Sequence, residues 1–244
     1  MASEAARKHP AQGEPGWIGI TLSTLGRLLV WLLIAMLFSV IAEWVGMTWF
    51  WPDEGLDHSR DMLEREVSYI NADFQQSLLT SDPAAYVRAF TDYSYRVLFE
   101  YTGIITLVEW LSVPAHPDDG RLVTSLRDGF ATIEAYVLAA IAIMQVFFLR
   151  LGVLTLAMPV FALFALVAMV DGLVQRDLRR WGGGRESSFV YHHAKRLMLP
   201  SIALAWVIYL AMPIAVHPNW IILPFALLNA ITVSITAASF KKYL

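Results

Sequence analysis

The sequence predicts an all-α, polytopic inner-membrane protein with four transmembrane helices and a small helical periplasmic domain. Hydrophobic residues make up 57% of the chain and charged residues only 16%, whereas soluble domains carry about 25% charged residues. Asp, Glu, Lys and Arg are absent from residues 28–42, 151–170 and 197–240. Roughly 20 apolar residues cross a bilayer as a helix, because a helix satisfies its own backbone polar groups. A buried core helix does not account for a run as long as 197–240.

The chain begins with a polar tail, residues 1–21, which we predict to be cytoplasmic and disordered over its first part. The first transmembrane helix follows at 22–43, with Arg27 near its start, where the side chain can snorkel to the interface. A cleaved signal peptide is the alternative, since Val40 and Ala42 suit a cleavage site. We favour a retained span, because an aromatic group typical of an interfacial belt follows it: Trp44, Trp49, Phe50 and Trp51.

Residues 44–131 form the main polar region, which holds 14 Asp and Glu against six Arg and no Lys. Two helices are predicted here from apolar residues at helical spacing. The first has Ser59 as N-cap and the apolar positions Leu63, Val67, Ile70, Phe74 and Leu78. The second has Asp82 as N-cap and Pro83 at its first position, with Tyr86, Phe90, Tyr93, Val97 and Tyr101 along one face. We interpret both faces as packing surfaces rather than as a cofactor site.

A loop is predicted at 112–120, and a further helix begins near Arg121. The apolar segment 132–174 then has two interpretations. It forms two spans with Arg150 at a turn, or one long helix whose second half, about 151–173, crosses the membrane. A helix over the whole segment would be about 65 Å long, roughly twice the hydrocarbon thickness.

Charge decides the predicted topology. The connector 175–196 carries Arg176, Arg179, Arg180, Arg185, Lys195 and Arg196 against Asp177 and Glu186, and short basic loops stay in the cytoplasm. The end 241–244, with two lysines, is also predicted to be cytoplasmic, so 197–240 is a transmembrane hairpin that turns at 217–219 on the outside. Both chain ends then lie inside, which requires an even number of spans. A single crossing by 132–174 gives four, with 44–131 in the periplasm.

No catalytic, cofactor or metal site is predicted, and we expect a protein that is not an enzyme. The glycines at 182–184 lack the surrounding pattern of a phosphate-binding loop and are interpreted as a break between two helices. His192 and His193 point about 100° apart on a helix, so they cannot share a metal ion. The chain has no cysteine.

A small-solute transporter or exporter is the alternative function. Transporters bury ionisable residues within their spans. Under the four-span interpretation the ionisable residues of the apolar regions all lie near a span end or outside the core: Arg27, Glu43, Glu134, Arg150 and Asp171. The transporter hypothesis is therefore the weaker one.

The run DGLVQRDLRRWGGGRESSFVYHHAKR at 171–196, followed by an apolar hairpin, resembles the family of integrating conjugative element membrane proteins of proteobacteria. The resemblance covers most of the chain. It implies an accessory or scaffold role at the inner membrane in conjugative DNA transfer through a type IV secretion apparatus. Family members are typically encoded near the coupling ATPase, which is therefore an expected partner, together with membrane lipids and other secretion components. The resemblance implies no catalytic residue, and no direct contact with nucleic acid is predicted.

The connector is more elaborate than the orientation of spans requires, and we predict a docking surface for a cytoplasmic partner there. Its residues are Arg179, Arg180, Gly182, Gly183, Gly184, Arg185, Glu186, Tyr191, His192 and Lys195.

Overall fold

The computed structural model of the chain describes residues 17–73, 79–114, 116, 120–182 and 188–240, and every regular element within them is a helix. The helices are α1 (Trp17–Trp49), α2 (Leu56–Asp73), α3 (Pro83–Tyr95), α4 (Ile104–Ser112), α5 (Arg121–Trp181), α6 (Ser188–Ala211) and α7 (Asn219–Ala238). A π-helical turn, Arg96–Glu100, continues directly from α3. The predicted all-α class is confirmed for the described part of the chain.

Four of these helices are long and apolar enough to cross a membrane. They are Gly26–Trp49 within α1, the helix Arg121–Trp181, Phe189–Ala211 within α6, and Asn219–Ala238. Many large apolar side chains on these helices are exposed, among them Trp31, Val167, Leu199 and Trp220. Apolar side chains on the outside of a bundle are what a lipid environment accommodates.

Helix α5 begins at Arg121, as predicted, and continues without interruption for 61 residues through Pro159. Its length is therefore about 90 Å at 1.5 Å per residue. The interpretation of 132–174 as two spans with a turn at Arg150 is wrong, since Arg150 lies in the middle of a continuous helix.

All other helices pack along α5. Helices α2, α3 and α4 lie against its N-terminal half, and the hairpin of α6 and α7 lies against its C-terminal half. Helix α1 joins the two groups: Trp44 Nε1 donates to Tyr136 O of α5 at 2.9 Å, and Ser39 Oγ donates to Leu210 O of α6 at 3.1 Å. The main core lies where the groups meet and contains Val87, Phe147, Val153, Leu154, Phe161, Tyr209 and Ala226.

Two predictions about the polar region are corrected. Ser59 is not the N-cap of α2, because the helix begins at Leu56 and Ser59 Oγ donates back to Leu56 O at 2.9 Å within the first turn. The aromatic face predicted for α3 does not pack as one surface. Phe90 of this face packs against α5 beside Val87, whereas Tyr93 and Tyr101 are 66% and 75% exposed.

Other predictions about this region are confirmed. Asp82 accepts from Ala85 N at 2.9 Å and caps α3, with Pro83 at its first position. Ile70 of α2 is buried, with Leu63 and Val67 packed beside it; Phe74 and Leu78 lie outside the described residues.

Burial, aided by the carboxylates of Glu100 and Glu109, raises the pKa of Tyr95 at the end of α3, so its phenol stays neutral.

The bounds of the hairpin differ from the prediction. Helix α6 begins at Ser188 and ends at Ala211, and α7 begins at Asn219. The turn therefore occupies 212–218 rather than 217–219. Pro213 lacks a backbone N–H and cannot continue the hydrogen bonding of α6, and the released carbonyls have a partner described below.

Helices α5 and α7 approach each other closely at Gly172. A Cβ atom at this position would lie 2.4 Å from Ser234 O and 2.8 Å from Ala237 Cβ. Asp171 Oδ2 accepts from Ser234 Oγ at 3.1 Å beside this contact. A glycine is therefore required for the two backbones to approach as they do.

Substitution of Gly172 by alanine should force α5 and α7 apart and lower the stability of the purified protein by about 1–3 kcal/mol. Gly129 is the matched control, because it lies in the same helix with nothing within 4 Å of an added Cβ. Gly129→Ala should be neutral, or stabilising by up to about 1 kcal/mol. Thermal unfolding in detergent, followed by tryptophan fluorescence, compares the two, and an equal change in both would contradict the close contact.

Candidate functional site: a buried arginine network

Arg150 is a fully buried charged side chain at the middle of α5. The chain surrounds it with acceptors from α2 and from the end of α6. Nε and Nη2 donate to Glu66 Oε1 at 3.0 and 2.6 Å. Nη1 donates to Tyr209 O at 2.9 Å and to Met212 O at 2.7 Å, and Nη2 donates to Ile214 O at 2.7 Å. An arginine has five N–H donors, so every one of them has an acceptor.

Glu66 completes the network from the other side. Its side chain is buried on α2, and its second oxygen, Oε2, accepts from the hydroxyl of Tyr209 at 3.1 Å. The Tyr209 ring also lies under the guanidinium, with 5.1 Å between the carbon of the guanidinium and the ring centroid. Buried charges are tolerated when they are paired and fully hydrogen-bonded, and removal of one partner then costs about 3–5 kcal/mol.

The network explains why α6 ends where it does. The last carbonyls of a helix have no partner within the helix, and the end of the helix dipole carries partial negative charge. Arg150 supplies donors and positive charge to this end and to the irregular backbone that follows it, through the carbonyls of Tyr209, Met212 and Ile214. One side chain of α5 thus fixes α2 and the hairpin turn together.

A second polar cluster joins α1 to the start of α2. Glu43 is fully buried, and its Oε1 lies 3.0 Å from His58 Nδ1. The His58 ring stacks on Trp51 at a centroid distance of 4.1 Å. Trp51 in turn lies against Gly46, where an added Cβ would be 1.9 Å from the indole ring. The corner between α1 and α2 is therefore held by a contact between the Glu43 carboxyl and the His58 imidazole and by an aromatic stack.

A third polar contact lies at the opposite end of the bundle. Arg179 Nη1 donates to Ala238 O, at the end of α7, over 3.3 Å. Arg179 therefore has the same relation to α7 that Arg150 has to α6, with a cation of α5 at the C-terminal carbonyls of a hairpin helix.

The structure describes six of the ten residues of the predicted docking surface. Gly183, Gly184, Arg185 and Glu186 lie outside the described residues. Arg179 is half-buried and engaged with α7.

The other five residues of this surface lie at the same end of the bundle. Tyr191 is half-buried, with its ring 6.0 Å from that of Phe240. Arg180, His192 and Lys195 are exposed, and Gly182 is the C-cap of α5. Lys195 Nζ lies 5.8 Å from the centroid of the Tyr191 ring.

The prediction that Arg150 and Glu43 lie near a span end or outside the membrane core stays a prediction, but the burial of both side chains inside the protein was not predicted. Glu66 and Tyr209 were not predicted as site residues. One signal was available: Glu66 falls four residues after Met62 and four before Ile70, both buried, so an acidic residue stood on the apolar face of α2 and required a buried partner.

The network has no room for a substrate, because its donors and acceptors are used by one another. Two open grooves of about 420 and 600 Å³ lie elsewhere and have almost wholly apolar linings. The first lies between α1 and α5 and includes Trp44 and Tyr136, and the second lies between α5 and α7 and includes Phe164 and Trp220. Among the described residues, no three His, Asp or Glu side chains come together as metal ligands would.

Residues 50–241 match the model of a family described as IncC plasmid conjugative DNA transfer protein DtrJ-like. The matched segment includes Glu66, Arg150 and Tyr209 as well as the connector. No curated protein and no solved structure matches the chain. The resemblance to a conjugative transfer family is thereby confirmed, and the assignment to an integrating element stays a prediction.

Replacement of Arg150 by methionine should destabilise the protein by about 3–5 kcal/mol, because it leaves the Glu66 carboxylate buried without a cation. Glu66→Leu alone should cost a similar amount. The double variant should cost clearly less than the two single losses combined, since it leaves no unpaired charge.

Equilibrium unfolding in mixed detergent micelles measures this double-mutant cycle. Arg60→Gln is the control, because the Arg60 ion pair with Asp57 is exposed and such pairs contribute about 0–1 kcal/mol. Simple additivity of Arg150→Met and Glu66→Leu would show that the two side chains do not depend on each other.

Proposed function

Because the chain belongs to the DtrJ-like family of conjugative DNA transfer proteins, we propose that it is a non-enzymatic accessory or scaffold component of a conjugative transfer apparatus. It acts in the bacterial inner membrane beside the type IV secretion channel. The family match over residues 50–241 is the observation that carries this proposal. The four candidate spans support the membrane location.

The proposed orientation follows from charge. The connector with its arginines and both chain ends lie in the cytoplasm, and the acidic helices α2 to α4 lie in the periplasm. Helix α5 crosses the membrane once, with its second half in lipid and its first half carrying the periplasmic helices. Arg150 then lies near the outer boundary of the bilayer, where it links the periplasmic domain to the transmembrane hairpin.

In this role the protein holds two binding surfaces at a fixed separation. The periplasmic helices contact channel or envelope components, and the connector contacts a cytoplasmic component such as the coupling ATPase. The Arg150 network supports a rigid connection, because α2, α5 and α6 all contribute groups to it. The transporter alternative receives no such support, since the buried charges bond to one another and neither groove includes Arg150 or Glu66.

Labelling of single cysteines tests the orientation, and the chain is suited to it because it has no cysteine. Tyr93→Cys and Leu122→Cys, at positions 66% and 82% exposed, should react with a membrane-impermeant maleimide in intact cells. Trp181→Cys, at a position 92% exposed, should react only after permeabilisation. Arg150 is unsuitable for a label, because it is fully buried. Labelling of position 181 from outside would overturn the orientation.

Capture from conjugating cells tests the function itself. A tagged chain, cross-linked in donor cells and solubilised, should retain the coupling ATPase or another transfer component, and a deletion strain should transfer DNA less often. The double substitution Arg185→Ser and Glu186→Ser in the connector should reduce both capture and transfer.

The matched control is the double substitution Glu64→Ser and Arg65→Ser, which removes the same two charges from exposed positions on α2. This variant should capture the cytoplasmic transfer component as well as the wild type does, at the same level of protein as the connector variant. If no transfer component is captured and the deletion strain transfers DNA at the normal rate, the proposed function is wrong.

A further inference from the structure

The end of the bundle that carries the connector is surrounded by exposed aromatic and basic side chains. Trp181 at the end of α5 is 92% exposed, and Phe189 at the start of α6 is 70% exposed. Arg180, Lys195 and Arg196 are exposed beside them. We call these five residues the collar.

The cations of the collar differ from the other arginines at this end. Arg176 forms an ion pair with Asp177 at 3.2 Å, and Arg179 donates to Ala238 O. Within the part of the chain that the structure describes, Arg180, Lys195 and Arg196 form no ion pair. Three exposed positive charges thus have no acidic partner among the described residues.

The packing of the helices fixes the depth of the collar. Helix α7 has 20 residues, so it spans about 30 Å, the thickness of the hydrocarbon core. Its C-terminal end therefore marks one boundary of that core. Gly172 lies opposite Ser234, which places Arg176 opposite the end of α7, and α5 continues to Trp181 about 7 Å beyond this boundary.

Helix α6 approaches the same boundary from the other direction. The rings of Tyr191 and Phe240 are 6.0 Å apart, and Ser201 Oγ lies 3.3 Å from Asn229 Oδ1, so α6 runs antiparallel to α7. Lys195 and Arg196 therefore lie about 3–6 Å inside the boundary, and their long side chains reach back to it. Arg180 therefore lies just outside the hydrocarbon boundary, and Lys195 and Arg196 lie just inside it. All three cations are within reach of the lipid headgroups.

We propose that the collar binds the phosphate-bearing headgroups of anionic phospholipids. Tryptophan and phenylalanine side chains at the interface supply apolar contact, and the three cations supply the charge that attracts an anionic lipid surface. The proposal rests on the proposed function only in placing this end in the cytoplasmic leaflet. It reassigns Arg180 and Lys195 from the predicted docking surface to lipid, and it leaves residues 183–187 of the connector to the protein partner.

Electron paramagnetic resonance of spin-labelled lipids tests the proposal with the purified full chain in nanodiscs. Spin-labelled phosphatidylglycerol should be immobilised at the protein in preference to spin-labelled phosphatidylcholine, by roughly fivefold or more. High salt should reduce the preference, because it screens exposed charges. The triple variant Arg180→Gln, Lys195→Gln and Arg196→Gln should bring the ratio close to one.

The control is a second triple variant, Arg65→Gln, Arg96→Gln and Arg121→Gln, which removes three exposed arginines from the other end of the molecule. It should keep the preference for phosphatidylglycerol. No preference in the wild type, or an equal loss in both triple variants, would overturn the proposal.

Retention of the preference by the collar variant, together with loss of a captured transfer component, would also overturn it and would assign the cations to a protein partner. The lipid measurement uses the isolated chain. Failure to capture a transfer component, together with normal transfer by the deletion strain, therefore contradicts the proposed function and leaves the lipid result standing.

Discussion

A guanidinium group that water does not reach must find an acceptor for each of its N–H groups within the protein. Arg150 meets this requirement with one carboxylate and three backbone carbonyls. Each acceptor constrains a different part of the chain. Glu66 sets the position of α2 against α5, and the carbonyls of Tyr209, Met212 and Ile214 set the end of α6 and the path of the turn. A shift of either element would leave buried donors without partners, which costs more than any one hydrogen bond contributes.

The arginines of α5 repeat this arrangement at both ends of the hairpin. Arg150 reaches the C-terminal carbonyls of α6, and Arg179 reaches that of α7. Between them Gly172 allows the backbone of α7 to approach α5 closely. The hairpin is thus positioned on α5 by polar contacts at its two ends and by a small residue between them. Helix α5 determines the register of its neighbours, because it is the element that every one of them contacts.

The sequence was sufficient for features that depend on composition and local chemistry. Uncharged runs predicted the apolar helices, and Asp82 with Pro83 predicted the start of α3. Charge balance across the loops favoured one long helix over two at 132–174. Each of these inferences uses residues close together in the chain or counts over a segment. The buried faces of the helices were harder to predict, since Tyr93 is exposed although its spacing fits an apolar face.

The Arg150 network could not be predicted in this way, because its partners Glu66 and Tyr209 are 84 and 59 residues away along the chain. An arginine between two apolar segments has the same local pattern whether it marks a turn or a buried ion pair. Only the packing of α2 and α6 distinguishes the two cases. Ser59 illustrates the reverse situation, in which a residue suited to capping lies one turn inside the helix and bonds to Leu56 instead.

The free energy needed to break the buried Arg150–Glu66 pair favours a scaffold over a transporter. A transporter must let its buried charges exchange partners during each cycle, and an arginine whose five donors are all engaged with its own chain resists such exchange by several kcal/mol. A scaffold benefits from the same property. Helix α2 and the hairpin then move as one body with α5, whose length of about 90 Å separates the helices at one end from the connector at the other. In the proposed scaffold role, the network that makes exchange costly is what keeps the two binding surfaces of the chain in a fixed relation.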